Sequence, residues 1–189
     1  MPVNWGPGYV KRTPYESAPG AWPVLDANCV WERKPLPATV LATLTRYSEL
    51  PAEGGRGPIR VAAVVTVHRT VNDADWEMAE TLEEALRCPD QQLRQGERIT
   101  ELTSQASDFG VLGNLAADDI AHRGRQVLQR RTRRPVLYYY WIQSRLGTVT
   151  VAAVGKGSKG RSEDEVSAAV VQGAGTMISR AESELETTE

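Results

Sequence analysis

The sequence has few of the side chains that metal centres and catalytic dyads need. Its 189 residues include only two histidines, His68 and His122, and two cysteines, Cys29 and Cys88. Two histidines give little material for a metal site or for a nucleophile–base pair. No serine or cysteine stands in a recognised nucleophile motif. The sequence therefore predicts a protein without a metal, a cofactor or a catalytic activity.

Long apolar runs and a strong net charge are also missing. No run of about 18 apolar residues occurs, so no segment is predicted to span a bilayer. The net charge of −2 argues against bulk capture of nucleic acid, although arginines crowd residues 123–134 beside an aromatic stretch. Aromatic residues in a strand favour sheet packing, and flanking arginines favour protection of a sheet edge. We therefore predict no nucleic-acid partner.

The two cysteines predict one disulfide bond. Cys29 and Cys88 lack metal-type spacing and a catalytic neighbour, so a bond between them is the simplest interpretation. It would close a loop of about 60 residues, worth roughly 4 kcal/mol in the chain-entropy model. Such a bond persists in an oxidising compartment, which predicts an extracellular or cell-envelope location.

The N-terminus does not carry the signal that this location requires. Residues 1–6 lack the basic start and apolar stretch of a signal peptide. Either the true start lies upstream, with Met1 a mis-assigned start, or the thiols stay reduced in a cytosol. We favour the first alternative, with membrane contact only through an upstream anchor.

Residues 1–37 hold seven of the eleven prolines together with several tryptophans and tyrosines. This density of proline excludes a long helix or a central strand. The aromatic residues favour an extended N-terminal arm that packs on the body of the protein through its rings. We predict an arm over 1–37 and a single α+β domain over 38–189.

Hydrophobic spacing predicts the elements of that domain. Residues 36–50 resemble a short helix, and residues 59–70 alternate as a strand. An amphipathic helix is predicted over 73–87, with Trp76, Ala79, Leu82 and Leu86 as its apolar stripe. Further strands are predicted at 98–104 and 126–131, with a loop at 107–119 between them. Residues 135–146 and 148–154 predict a hairpin that turns at Gly147, and a capping-box spacing begins a last helix at Ser162. This order predicts an antiparallel sheet covered by helices on one face.

The residues at the end of the hairpin predict a ligand surface. The segment 155–161 is rich in glycine and bases, follows a strand and precedes a helix, so it could hold an anion. Its Gly-x-Gly-x-x-Gly string lacks the parallel strand that a dinucleotide fold needs, and a plain connection is the alternative. Aromatic faces and fixed donors together are typical of a pocket. The predicted ligand-binding residues are Tyr138, Tyr140, Trp141, Lys156, Lys159 and Arg161.

A second cluster carries the competing hypothesis of an enzyme. Asp118, Asp119 and His122 could form an acid–base group if they lay on a helix, because positions 118 and 122 would then share a face. The alternative is a solvated face, since charged side chains are mostly exposed.

The order of features resembles a group of actinobacterial secreted or lipid-anchored proteins, including the extracellular sensor domains of mycobacterial-type Ser/Thr kinases. The resemblance runs through residues 61–70, 76–89 and 140–151 before the final helix. It implies an antiparallel sheet packed on helices, a disulfide at the first helix, and a cleft for a ligand or envelope partner. The expected function is a non-catalytic extracytoplasmic ligand-binding or sensory module of the cell envelope. The alternatives are a small hydrolase-like enzyme that uses Asp118, Asp119 and His122, and a structural partner in an envelope complex.

Overall fold

The protein is an α+β structure built on an antiparallel sheet, which confirms the predicted fold class. The computed structural model describes residues 3–17, 20–94, 97–106, 119–128 and 137–187. Its strands are β1 (Val10–Ser17), β2 (Ala21–Leu25), β3 (Trp31–Pro35), β4 (Val40–Leu50), β5 (Ile59–His68), β6 (Gln91–Arg94), β7 (Glu97–Ala106), β8 (Asp119–Leu128), β9 (Leu137–Leu146) and β10 (Val149–Lys156). Helix α1 (Val71–Arg87) follows β5, and helix α2 (Glu163–Glu186) follows β10.

Eight of these strands form one sheet, in the order β1-β4-β5-β10-β9-β8-β7-β6, while β2 and β3 form a separate hairpin. The central strands β5, β9 and β10 are rich in valine, threonine and aromatic residues, which pack well on a pleated surface. The predicted hairpin of β9 and β10 is confirmed, and Gly147 turns it with a φ of 58°. Glycine adopts this left-handed conformation without steric cost.

The two helices cover opposite faces of the sheet, so the prediction of a single covered face is wrong. On one face, α2 packs with Val166, Val170 and Ile178 on a core of alternate residues of β5, β9 and β10. On the other face, α1 packs with Ala85 on a smaller cluster that includes Ile99 and Tyr139. Every second residue of a strand points to the same side, so one run of apolar residues supplies both cores. The sheet is therefore a middle layer.

Within the segment 36–50, which the sequence predicts as a helix, Val40–Leu50 form strand β4 instead. Val40, Leu41, Leu44 and Tyr47 have helical spacing, but β4 pairs antiparallel with β5 from Val40↔His68 to Leu50↔Ile59. The segment is also rich in threonine, which favours strands. Strand β5 pairs with this segment from Ile59 to His68. The backbone hydrogen bonds of this pairing outweigh the weak helical preference of the segment itself.

The N-terminal residues join the sheet and the core. Strand β1 pairs with β4 at the sheet edge, and Trp5 is buried in the α2 core. An ideal Cβ at Gly173 would meet Trp5 Cζ3 at 2.2 Å, so only glycine lets this ring lie against α2. The division of the chain into an arm and a domain at residue 37 stays a prediction.

The predicted disulfide is confirmed. Cys29 and Cys88 are joined by a 2.06 Å S–S bond, with their Cα atoms 5.5 Å apart. The bond ties the β2–β3 turn to the end of α1, where Arg87 also donates to the carbonyls of Leu25 and Asp26. A disulfide is compatible with an extracellular location. Within the described ranges, neither helix combines the length and apolar content needed to cross a membrane.

Candidate functional site

The glycine-rich segment 155–161 is fixed against the turn at residues 51–57. Gly57 donates from its backbone nitrogen to the Lys159 carbonyl over 2.8 Å, and Arg56 Nε donates to the Gly160 carbonyl over 2.9 Å. At Gly57 an ideal Cβ would come within 2.6 Å of Ser158 Cβ, so the two loops approach as closely as glycine allows. The segment is therefore a packed connection.

Arg161, a predicted ligand-binding residue, is occupied by protein carbonyls. Its Nε donates to the Gly57 carbonyl over 2.7 Å, and one terminal nitrogen donates to the Pro51 carbonyl over 2.8 Å. The side chain is 5% exposed and its other terminal nitrogen lies 3.4 Å from Glu165. A guanidinium held at this many acceptors has little capacity left for an external anion.

The N-terminus of α2 is filled by its own side chains. Ser162 and Glu165 form a reciprocal capping box, and Glu163 and Asp164 complete an acidic first turn. The backbone hydrogen bond from Ser162, followed by the hydrogen bond from Arg56, lowers the pKa of Glu165 to about 2 despite an opposing desolvation effect. These carboxylates occupy the place where an anion would bind. Of the predicted cations here, Lys159 is exposed.

The other predicted ligand-binding residues are divided between the two faces of the sheet. Tyr138 and Tyr140 pack on the α2 core, and the Tyr140 hydroxyl donates to Glu163 over 2.7 Å. Trp141 packs on the α1 side. Lys156 belongs to the same side, with its Nζ 3.9 Å from Glu97 and 5.9 Å from the Tyr139 ring centre. The sheet thus separates groups that the linear sequence places together.

The acid–base cluster of the enzyme hypothesis does not lie on a helix. Asp119 and His122 belong to strand β8, where they are registered opposite Ser144 and Trp141. Asp118 lies outside the described residues. The helix on which this hypothesis depends is therefore not present at 119–122, and the predicted start of this strand at residue 126 is wrong. Strand β8 begins at Asp119 because its pairing with β9 extends to Ser144. The predicted loop at 107–119 falls largely outside the described ranges.

A carboxylate–histidine pair does occur beneath α1, where sequence reasoning did not place one. His68 Nε2 lies 2.6 Å from Glu77 Oε2, and Thr150 donates to the same oxygen over 2.7 Å. Gln143 donates to the other oxygen of Glu77 over 3.1 Å. The His68 side chain is 2% exposed and the Glu77 side chain is 16% exposed, so α1 covers most of the pair. Its role is to fix α1 to three strands.

The outer face of α1 carries an exposed apolar stripe. The helix buries Ala74, Met78 and Ala85 against the sheet. Trp76 and Leu86 of the predicted apolar stripe are instead 60% and 69% exposed. Ala79 and Leu82 lie between them at helical spacing, and Ala79, Leu82 and Leu86 line a shallow depression with Glu83 and Arg87. Leu82 is half-buried, whereas the other three residues are exposed. We call Trp76, Ala79, Leu82 and Leu86 the α1 outer face.

This arrangement is unusual because single exposed apolar residues are normal, whereas contiguous ones mark binding surfaces. The exposed large apolar side chains of the described residues are Val10, Leu41, Val71, Trp76, Leu86 and Leu185. Three of these six lie on the 17 residues of α1. The helix is thus the part of the described surface where apolar exposure is concentrated.

Carboxylates border the α1 outer face. Burial, followed by the charges of Glu77 and Glu83, raises the pKa of the Glu80 carboxyl. Burial also raises the pKa of Glu84 to about 7, against an opposing hydrogen bond from the Leu25 backbone nitrogen. Glu83 is paired with Arg87, and Asp75 lies 2.7 Å from Arg145. Arg87 and Arg145 offset the charges of Glu83 and Asp75, so the exposed Glu80 is the carboxylate beside the stripe that favours a cation.

In the described part of the chain, no three His, Cys, Asp or Glu side chains lie close enough to hold a metal ion. No family model matches the chain, and comparisons with curated proteins and with solved structures found no match either.

Proposed function

We propose that the protein is a non-catalytic, extracytoplasmic interaction module of the cell envelope, and that its α1 outer face binds a macromolecular partner. The observation that carries this proposal is the exposure of Trp76 and Leu86 on a helix whose opposite side is well packed. Tryptophan is among the residues that most often anchor protein interfaces, and contiguous exposed apolar side chains mark such surfaces.

The framework around α1 supports a rigid docking element. The disulfide and Arg87 hold its C-terminal end, and the Glu77 cluster holds its middle. At the N-terminal end, Thr70 and Asp73 form a capping box. A surface that is ordered before binding loses little conformational entropy when a partner docks.

The compartment and the sensory role remain part of the proposal. The disulfide supports an oxidising environment. The resemblance in sequence pattern to extracellular sensor domains of actinobacterial Ser/Thr kinases, and to related small lipoproteins, supports a role in sensing or assembly at the envelope. An upstream anchor would hold such a module at the membrane.

Site-specific photocrosslinking in cells that naturally make the protein tests the proposal. The photoreactive residue p-benzoylphenylalanine replaces Ala79 in the α1 outer face, or the exposed Ala168 of α2 as a matched control. We expect position 79, and not position 168, to form a discrete crosslink to one extracytoplasmic partner. This crosslink should disappear when Trp76→Ala and Leu86→Ala are added. The same adducts from both positions, or none from position 79, would overturn the proposed function.

A further inference from the structure

We infer that the partner of the α1 outer face is a cationic amphipathic helix, with apolar side chains on one side and Lys or Arg flanking them. This inference rests on the proposed function and adds the chemistry of the partner. It is carried by the shape of the apolar stripe together with the sign of the charges that border it.

The stripe has the length and spacing that a helix recognises. Trp76 and Leu86 are ten positions apart, which corresponds to about 15 Å along a helix axis. Ala79, between them, has the smallest side chain of the stripe, and it opens the shallow depression beside Leu82 and Leu86. A partner helix can place an apolar side chain over Ala79 while its neighbours contact Trp76 and Leu86, in the manner of helix-in-groove recognition.

The charges of α1 select a cationic partner. The helix contains six acidic residues and a single base, Arg87. Glu83 and Glu84 stand near its C-terminus, where the helix dipole disfavours negative charge. Glu77 is held beneath α1 by His68 and Gln143, and Glu83 is paired with Arg87. The lysine or arginine flank of a partner would therefore meet the exposed carboxylate of Glu80.

The same charges disfavour three other occupants. A second copy docking through the same face would bring its own Glu80 and Glu83 towards those of the first. An anionic membrane surface would be repelled in the same way. A neutral apolar helix would gain from the stripe alone and would desolvate the Glu80 carboxylate without pairing it.

Three synthetic helical peptides of about four turns test the inference. Each has leucines at i, i+3, i+4 and i+7, and its remaining positions are Lys, Gln or Glu. Isothermal titration against the folded, oxidised protein should show the Leu/Lys peptide binding at least about tenfold more tightly than the Leu/Gln peptide. The Leu/Glu peptide should bind most weakly of the three.

Variants separate the apolar and the electrostatic contributions. Trp76→Ala and Ala79→Arg should each weaken the Leu/Lys peptide about tenfold. Glu80→Gln should weaken the Leu/Lys peptide and leave the Leu/Gln peptide unchanged. The matched control Leu185→Ala removes a side chain that is exposed by 42% on α2, and it should leave all three affinities unchanged.

Several results would overturn the inference. These are equal binding of the Leu/Lys and Leu/Gln peptides, no binding of the Leu/Lys peptide, binding that Trp76→Ala does not change, and binding to vesicles containing phosphatidylserine that Trp76→Ala abolishes. If the crosslink at position 79 forms while the peptides fail in one of these ways, the proposed function stands and only the chemistry of the partner is wrong.

Discussion

At the scale of single residues, the carboxyl group of Glu84 makes the free energy of unfolding depend on pH. Burial raises the pKa of Glu84 to about 7 from a model-peptide value of 4.5. Between these two pH values the folded protein binds more protons than the unfolded chain. The free energy of unfolding therefore decreases as pH rises from about 4.5 through about 7.

Replacing the Glu84 carboxyl with a neutral isostere should remove this decrease in the free energy of unfolding. We expect Glu84→Gln to keep the contact with the Leu25 backbone nitrogen and to flatten the decline in stability between pH 4.5 and 7. At pH 8 the variant should be more stable by about 1 kcal/mol, after allowance for the part of the side chain that water reaches. Urea unfolding at several pH values measures this, with Glu32→Gln on an exposed part of β3 as the control. Parallel pH profiles for wild type and Glu84→Gln would contradict the expectation.

At the scale of elements, the disulfide holds the β2–β3 hairpin to the end of α1. Replacing both cysteines, as Cys29→Ser with Cys88→Ser, should lower the free energy of unfolding by about 2–4 kcal/mol, because the unfolded chain regains the freedom of a closed loop. Urea unfolding of the oxidised protein and the variant measures the difference. A reductant should bring the wild type to the level of the double variant, and it should leave the double variant unchanged. Stability that is the same with and without the bond would contradict this prediction.

The elements that the sequence predicts correctly are those with strong local signals. The valine alternation of β5, the glycine turn of β9 and β10, and the capping box at Ser162 each determine local structure with little help from distant residues. Strand β4 is different, because its helical spacing is overridden by pairing with β5. Local periodicity contains no information about such a neighbour.

The candidate site was harder to predict for the same reason. From the sequence alone, Arg161 resembles a cation available for a ligand. In the structure it donates a hydrogen bond to the carbonyl of Pro51, which is more than a hundred residues away in the chain. The helical periodicity of α1 was correct, yet the buried side is the one with Met78, while Trp76 faces water. Two signals in the sequence could have indicated this: the small residues Ala74 and Ala85, which suit close packing on a sheet, and Glu77 placed to reach His68.

At the scale of the whole molecule, the two ends of the chain meet in one core. Trp5 lies on α2 at Gly173, and the Gln172 side chain lies close to Gly6. The N-terminal residues therefore contribute to the main apolar core along with β5, β9 and β10. Removing the large Trp5 side chain should destabilise the protein by about 3–5 kcal/mol.

The contact between Trp5 and Gly173 reverses the usual effect of replacing a helical glycine with alanine. Gly→Ala within a helix ordinarily stabilises by about 1 kcal/mol. At Gly173, however, the new Cβ would lie 2.2 Å from Trp5 Cζ3 and 2.3 Å from Cε3, so the ring must leave its position. We expect Gly173→Ala to destabilise the protein by about 1–3 kcal/mol, as overpacking does. Thermal and urea unfolding measure the change.

A double-mutant cycle tests whether Trp5 and Gly173 are in contact in solution. With Trp5→Ala already present, the clash is gone, and Gly173→Ala should then stabilise the protein. This change of sign is the coupling expected of two residues in direct contact. Gly20→Ala is the matched control, because an added Cβ there meets no atom within 4 Å and its φ is not in the left-handed region. If Gly173→Ala is stabilising in both backgrounds, Trp5 does not pack on α2 in solution, and the N-terminal residues are not part of the core.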